Sequence, residues 1–113
     1  MSVPRRDTED ALYERQARIC QVLADPKRLR IVSLLRDREY SVGELADVLG
    51  VAYPNVSQHL NVMRDGGLVA ARRSGTTAYY RLSYPRIAAA CDAVRQVLRE
   101  QLADAAHLSG RAR

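Results

Sequence analysis

The chain has 113 residues and a mass of 12.6 kDa, which is enough for one domain with a modest hydrophobic core. Its hydrophobic content of 47% is typical of a globular protein. No apolar run approaches the roughly 20 residues that span a bilayer, and the N-terminus lacks the apolar core of a signal peptide. These features argue against a membrane protein or a secreted one, so we expect a cytoplasmic location.

The net charge of +5 is unevenly distributed along the chain. Residues 1–50 carry nine basic and nine acidic side chains, whereas residues 51–113 carry nine basic and only four acidic ones. A basic half of this kind suits a polyanionic partner. The two cysteines are too few for a secreted disulfide framework, and they do not form the C-x-x-C motif of a zinc ribbon.

We expect one folded domain over residues 8–108, between a flexible tail at residues 1–7 and a short tail at residues 109–113. The first predicted helix covers about residues 8–24, and the second covers residues 25–37. The second begins with an Asp-Pro pair, in which aspartate can cap the helix and proline suits its first turn. Its apolar side chains, which we expect in the core, are Leu29, Ile31, Val32, Leu34 and Leu35.

A helix-turn-helix is predicted from residues 41–49 and 53–65. Ser41 and Glu44 have the spacing of a reciprocal capping box at the start of the first of these helices. Gly50 follows the last apolar position, where a left-handed residue can stop a helix. The stripe expected to be buried in the second helix consists of Val56, Leu60 and Met63.

The opposite face of the helix over residues 53–65 is polar and uncharged. It carries Tyr53, Asn55, Ser57, Gln58, His59 and Asn61, with the histidine near the boundary of the buried stripe. Such side chains suit the reading of base edges, whereas phosphates are usually met by arginine and lysine. We therefore interpret this helix as a DNA-reading helix. The alternative is an ordinary solvated face.

Residues 68–82 alternate with the period of a strand and predict a two-stranded hairpin with Ser74-Gly75 at its tip. A basic hairpin directly after a helix-turn-helix is a wing, which can lie along a groove and hold phosphates. The side chains expected to contact DNA in the wing and at phosphates are Arg64, Arg72, Arg73, Thr76, Thr77 and Arg81. An ordinary solvated hairpin is the alternative, but the reading helix and the wing would serve the same ligand.

The last predicted helix covers residues 85–107 and is long for so small a domain. Its apolar side chains recur at steps of three and four residues, at Ile87, Cys91, Val94, Leu98, Leu102 and Ala105. The short helices cannot cover this whole stripe, so we expect it to pack, together with the first helix, against a second copy of the chain. The alternative is a helix folded back onto its own core. A homodimer would present two reading helices to a pseudo-palindromic site.

Several separated segments are similar, in the same order, to motifs of the ArsR/SmtB family of winged-helix transcriptional repressors. They are Leu23–Ile31, Val56–Leu60, Gly67–Val69, Gly75 and Tyr79–Leu82. The resemblance covers about residues 15–100. It implies a homodimer that represses by occupying operator DNA and leaves when an effector binds. It places the base contacts at Tyr53, Asn55, Ser57, Gln58 and His59, although Ala52-Tyr53 replaces the Ser-Gln that is usual in the family.

The sensing sites that the resemblance would imply are not found in this chain. Ser41-Val42-Gly43 stands where arsenic and cadmium sensors carry Cys-Val-Cys. The zinc and cobalt ligand positions hold Tyr84, Arg86, Val97 and Glu100, and the persulfide-sensing cysteines correspond to Ser33 and Arg99. One carboxylate does not make a tetrahedral site. We therefore expect no metal site of these types and no resident cofactor.

Cys20 and Cys91 lie on the two helices expected at the dimer interface. They are the candidate effector site, either as a thiol redox pair or as a site for a soft metal. The alternative is that both are small apolar residues packed in a helix interface, as free cysteines commonly are.

The sequence thus predicts an α+β, mostly helical, winged helix-turn-helix homodimer that binds double-stranded DNA. No catalytic residues are expected, because Ser57 and His59 lie two apart on one helix and do not face each other as nucleophile and base. The predicted function is transcriptional repression, with release from operator DNA by an effector or by thiol modification. The alternative is an effector-independent winged-helix module with an architectural role or a role in protein interaction.

Overall fold

The computed structural model describes the backbone of residues 5–111 and the side chains of residues 8–108. This part of the chain forms helices and short strands in an α+β arrangement that is mostly helical. The elements are α1 (Arg5–Leu23), α2 (Pro26–Leu35), β1 (Tyr40–Ser41), α3 (Val42–Leu49), α4 (Tyr53–Asp65), β2 (Val69–Ser74), β3 (Thr77–Leu82) and α5 (Arg86–Arg111). The predicted winged helix-turn-helix class is confirmed, with one additional strand.

The first and last helices are longer than predicted. α1 begins at Arg5, inside the segment 1–7 that the sequence predicts to be a tail, and α5 continues to Arg111, inside the predicted tail 109–113. Arginine, which occupies positions 5, 6 and 111, is a good helix former, and no internal proline interrupts either end of these helices. The remaining residues of both tails lie outside the described part of the chain.

The sheet has three strands in the order β1-β3-β2, whereas the sequence predicts two. β1 pairs antiparallel with β3, with Tyr40 opposite Tyr80 and Ser41 opposite Tyr79. A strand of two residues shows no alternation of its own, so the prediction from sequence periodicity misses it. This pairing ties the base of the wing to the start of α3.

The start of α2 is fixed by the predicted cap. The Asp25 side chain accepts hydrogen bonds from the backbone N–H groups of Lys27 and Arg28, at 2.8 and 3.1 Å. Pro26 takes the first helical position, where its missing N–H has no helical partner to lose. The sequence signal is confirmed, and the helix begins one residue after the cap.

α3 is bounded by the predicted capping box and glycine. The Ser41 hydroxyl accepts from the backbone N–H of Glu44 at 3.1 Å, and the Glu44 carboxylate accepts from the N–H of Ser41 at 2.9 Å. Gly50 ends the helix with a φ of 64°, in the left-handed region that favours glycine. These contacts hold the short helix that supports α4.

The core lies between α2, α3, α4 and the sheet. Its largest fully buried side chains are Ile31, Leu45, Leu60, Met63, Val32 and Val56. α5 reaches the core only through its first turns, at Ile87, Ala88 and Cys91. Leu29, predicted to lie in the core, is 41% exposed, because at about 100° per residue it lies on the side of α2 opposite the buried Ile31.

Beyond Cys91, α5 leaves the core, and every described side chain from Asp92 to Leu108 is exposed. The radius of gyration is 18.1 Å, against about 13 Å for a compact domain of this length. A single subunit therefore leaves a long, partly apolar helix uncovered. None of the helices, over the residues described, has an apolar stretch long enough to cross a membrane.

Candidate nucleic-acid interface

The predicted reading helix, α4, is anchored by its apolar stripe. Val56, Leu60 and Met63 are fully buried, as predicted, and hold the helix against α2 and α3. The helix has the predicted bounds, but Ala52 at the cap position provides no side-chain hydrogen bond. Burial of one face, rather than capping, therefore fixes the direction in which the opposite face points.

The polar face of α4 is mostly open to solvent. Its exposed members are Tyr53, Asn55, Gln58 and Asn61, and its half-buried members are Ser57 and His59. The Arg64 guanidinium donates to the Asn61 side-chain oxygen at 3.1 Å. Asn61 can therefore offer a ligand its amide N–H groups and the second lone pair of its oxygen.

His59 contacts Arg28, a residue of α2 that carries no DNA-binding signal in the sequence. Arg28 Nη1 lies 3.2 Å from His59 Nδ1, and Arg28 Nε donates to the backbone carbonyl of Val22 at the end of α1. One guanidinium thus links α1, α2 and the reading helix. No local pattern in the sequence indicates a contact between residues 28 and 59, which only the packing of α4 on α2 brings together.

The wing is a tight hairpin. Ser74 pairs with Thr77, so the two turn residues are Gly75 and Thr76, one position later than the predicted tip. Gly75 has a φ of 64°, while no described residue other than glycine has a positive φ. A glycine with positive φ at the first turn position is typical of a type II′ hairpin, whose twist matches that of the strands.

The wing arginines are divided between two faces of the hairpin. Arg72 and Arg81 lie on the outer face with Tyr79, whereas Arg73 lies on the face of the buried Tyr80, beyond the edge of the core. All three arginines are exposed. The three wing arginines therefore do not lie on one face of the hairpin.

Arg72 already has an anionic partner. Its Nε lies 2.9 and 3.2 Å from the two carboxylate oxygens of Glu39, which precedes β1. The guanidinium also lies over the Tyr79 ring, 5.1 Å from its centroid. Both side chains are partly exposed, and ion pairs of this kind contribute only about 0–1 kcal/mol. A phosphate can therefore compete for Arg72, but Glu39 lowers the charge that this residue offers.

The start of the reading helix and the tip of the wing meet at a shallow recess of about 270 Å³. Its lining residues are Ser41, Val42, Gly43, Tyr53, Thr76, Thr77 and Ala78. The predicted base contact at Tyr53 and the predicted wing contacts at Thr76 and Thr77 therefore belong to one surface. A duplex lying along that surface can touch both elements at once.

The two cysteines occupy different environments. Cys20 is exposed on α1, and Cys91 is half-buried on α5. Burial raises the pKa of the Cys91 thiol, Asp92 raises it further, Arg36 opposes the rise, and Cys20 is close enough to add to it. Among the residues with described side chains, no three of the types that bind metals gather into a cluster.

A helix-turn-helix followed directly by a β-hairpin defines a winged helix-turn-helix, an architecture of DNA-binding proteins. The chain belongs to the arsR family of bacterial regulatory proteins, whose family model matches residues 25–71. It is a DNA-binding transcriptional regulator and not an enzyme. The matched segment contains α2, the helix-turn-helix and the first part of the wing.

Relatives match over most of the chain. The chain is 42% identical over 96 residues to the uncharacterized HTH-type transcriptional regulator Rv0081 of Mycobacterium tuberculosis, covering 84% of each. It is 38% identical over 84 residues to the biofilm growth-associated repressor of Xylella fastidiosa, covering 74% of this chain and 73% of that protein.

Solved structures of relatives share the fold. The crystal structure of the M. tuberculosis protein Rv0081 matches with a TM-score of 0.76 at 42% identity, over 84% of this chain and 96% of that one. The solution structure of the homodimeric winged helix-turn-helix DNA-binding domain of Mb0332 from Mycobacterium bovis, a possible ArsR-family regulator, matches with a TM-score of 0.78. Its identity is 35%, over 90% of this chain and 94% of that one.

Proposed function

We propose that the protein is a homodimeric repressor that occupies operator DNA in the cytoplasm and is released by thiol chemistry. The observation that carries the DNA-binding part is the exposed, uncharged polar face of α4 beside a wing that carries arginines. This combination separates groups that read bases from groups that meet phosphates. The similarity to the X. fastidiosa repressor supports repression as the outcome of binding.

The uncovered face of α5 supports the homodimer. Val94, Leu98 and Leu102 are 71%, 51% and 62% exposed, on the stripe that begins in the core at Cys91. Burying apolar surface contributes roughly 25 cal/mol per Å², so a second copy that covers this stripe would be stabilised by its burial. α1 adds Leu12, which is 65% exposed. The homodimeric M. bovis domain has the same fold.

A homodimer fixes the form of the operator. Its two reading helices follow the two-fold axis, so they would contact two inverted half-sites about one helical turn apart. Within each half-site, we assign base reading to the polar face of α4, including the half-buried His59, and phosphate contacts to Arg64, Arg73 and Arg81. Arg72 is expected to contribute less than these arginines because Glu39 binds its guanidinium.

Cys20 and Cys91 are the proposed point of release. They lie on α1 and α5, the helices that would pack between subunits, and Cys91 responds to the charge of Cys20. A peroxide would oxidise the two thiols to one disulfide while it is reduced to water. A soft metal ion would instead bind both as thiolates, with loss of their protons. Either product ties the two helices together and alters the interface that sets the spacing of the reading helices.

The test is binding of the purified protein to the DNA upstream of its own gene, first reduced and then oxidised with hydrogen peroxide. Cys20→Ser and Cys91→Ser are measured in parallel, and As(III) and Zn(II) replace peroxide in separate samples. Release that is lost in either variant supports the thiol switch. Unchanged binding under every treatment would make the protein an effector-independent DNA-binding module.

Two further variants test the assignment of roles at the DNA. Arg73→Ala should weaken binding to all sequences and reduce the dependence of binding on salt, whereas Gln58→Ala should relax base preference. If Arg73→Ala lost its discrimination between DNA sequences while the salt dependence of binding stayed unchanged, this assignment would be wrong. Both side chains are exposed, so neither substitution should destabilise the fold, and thermal unfolding checks this directly.

The homodimer has its own test. Leu98→Glu places a charge in the apolar stripe, whereas Gln96→Glu places the same charge on the opposite side of α5. Sedimentation should show a monomer for Leu98→Glu alone, and its operator affinity should fall with the loss of the second reading helix. A dimer that survives Leu98→Glu would place the interface elsewhere.

A further inference from the structure

We propose that Arg28 is a positioning residue for DNA reading, which holds the His59 ring in the tautomer that offers Nε2–H to a hydrogen-bond acceptor on DNA. The inference rests on the proposed contact between α4 and DNA. It gives a role to a side chain of α2 that belongs neither to the reading face nor to the wing.

The tautomer follows from the chemistry of the two groups. Arg28 Nη1 lies 3.2 Å from His59 Nδ1, and a guanidinium has donors only and stays protonated. Nδ1 must therefore accept, which leaves the ring proton on Nε2. Turning the ring by 180° would place a carbon opposite Arg28, and that carbon cannot accept the bond.

Arg28 is itself fixed from two sides. Its Nε donates to the carbonyl of Val22 at the end of α1, and its backbone N–H donates to the Asp25 cap at 3.1 Å. Both Arg28 and His59 are half-buried, so neither side chain moves as a free surface group. The orientation of a ring on the reading helix is therefore set by the helices α1 and α2.

The choice of tautomer decides which DNA groups His59 can meet. With Nε2–H as a donor, it suits acceptors, namely purine N7, guanine O6, thymine O4 or a phosphate oxygen. The other tautomer would offer an acceptor and would suit the amino groups of cytosine and adenine. Arg28 thus selects the acceptor-seeking form without touching the DNA itself.

The first test reads the tautomer directly in the free, full-length protein. Long-range proton–nitrogen NMR spectra of the wild-type protein should show a protonated Nε2 and an unprotonated Nδ1 at His59. Arg28→Met replaces the donor with an unbranched apolar side chain. This variant should show a mixture of the two His59 tautomers. Arg28→Lys keeps a donor and should retain the wild-type form. A wild-type Nδ1 that carries the proton, or an Arg28→Met spectrum like that of the wild type, would overturn the proposal.

The second test measures DNA reading with a duplex that the wild-type protein selects from a randomised library. Loss of one hydrogen bond should reduce discrimination at one position of each half-site by about 2- to 10-fold in Arg28→Met. The matched control is Arg30→Met, which removes the same charge from an exposed position of α2. If the acceptor is a phosphate, Arg28→Met should instead lose affinity by the same factor for every DNA sequence, and this loss should exceed the loss of affinity in Arg30→Met.

A rescue variant separates this role from a merely structural one. Gln at position 59 places its own amide N–H near the position of Nε2, so His59→Gln in the Arg28→Met background should restore binding. Equal binding of the wild type and Arg28→Met to every sequence would overturn the proposal. Absence of any DNA binding by the wild type would instead contradict the proposed function, while the NMR result would still stand.

Discussion

The Glu39 carboxylate lies 2.9 Å from Nε of Arg72, so an acidic side chain before the first strand binds an arginine of the wing. The side chains are 34% and 52% exposed, and a pair of this kind holds its partners by only about 0–1 kcal/mol. A DNA phosphate at the wing would therefore compete with Glu39 for the same guanidinium. The protein has an internal anion at the point where a polyanion is expected to bind.

Glu39→Gln should strengthen binding to DNA of any sequence. It removes a negative charge and frees Arg72, and one additional phosphate contact should steepen the dependence of log K on log salt by about 0.9. Fluorescence anisotropy over a salt series measures both quantities. Asp47→Asn is the matched control, because it removes an exposed negative charge from α3 without an arginine partner among the described residues. If Glu39→Gln and Asp47→Asn changed the affinity and its salt dependence equally, Arg72 would make no contact with phosphate.

Removal of the capping box should destabilise the protein. Ser41→Ala leaves the backbone N–H of Glu44 without its cap, which typically costs about 1 kcal/mol of unfolding free energy. Ser41→Asp keeps an acceptor at the cap position and should retain most of the stability. Chemical unfolding at a fixed protein concentration compares the three proteins, since dimerisation makes stability depend on concentration. Equal loss in both variants would point to packing around Ser41 rather than capping.

The cap of α2 should make stability sensitive to acid. Burial raises the pKa of Asp25. Backbone hydrogen bonds from Arg28 and Lys27, together with charge interactions with His59 and Arg28, outweigh burial and hold this pKa below its usual value of 3.8. A lowered folded-state pKa means that the charged cap stabilises the protein at higher pH and loses this effect as pH falls through the folded-state value. Asp25→Asn can still cap the helix but does not titrate. The stability difference between wild type and Asp25→Asn should be constant near pH 7 and should shrink only in acid; a difference that is the same at every pH would contradict this assignment.

Local signals in the sequence predict the helix boundaries of this fold and the buried face of α4. The cap at Ser41, the stop at Gly50 and both bounds of the reading helix depend on residues within one or two helical turns of each other. The stripe that includes Leu60 follows from the helical period in the same way, and it also determines which face of α4 is exposed. Because a polar face appears opposite a buried stripe, sequence alone also located the residues proposed to read bases.

The contacts that the sequence did not reveal all join distant segments. His59 was placed on the reading face, but nothing near it indicates that Arg28 lies 3.2 Å away. Glu39 and Arg72 are likewise brought together only by the pairing of β1 with β3 and of β3 with β2. Such contacts depend on tertiary packing, which periodicity and capping rules do not encode. They alter the charge or the hydrogen-bonding state of a predicted DNA contact, so they matter most at the site.

Cys91 should react slowly with alkylating agents at neutral pH. Burial is the main reason why the pKa of its thiol lies above 9.0, with a further contribution from Asp92. The thiolate is the nucleophile, so the rate of alkylation should rise with pH to a midpoint above 9.0. Mass spectrometry of the Cys91 peptide after iodoacetamide treatment, in a Cys20→Ser background, gives this profile.

Two variants with opposite expected effects test whether nearby charges contribute to the raised pKa of the Cys91 thiol. Arg36 and Asp92 form an ion pair with a separation of 2.6 Å, and their charges act on the Cys91 thiol in opposite directions. Arg36→Met leaves the carboxylate unopposed and should move the midpoint to higher pH, whereas Asp92→Asn leaves the cation unopposed and should move it to lower pH. A dimer that covers α5 would slow both reactions but would preserve the order of the midpoints. If neither variant moves the midpoint, the ion pair does not act on the thiol, and burial alone sets its reactivity.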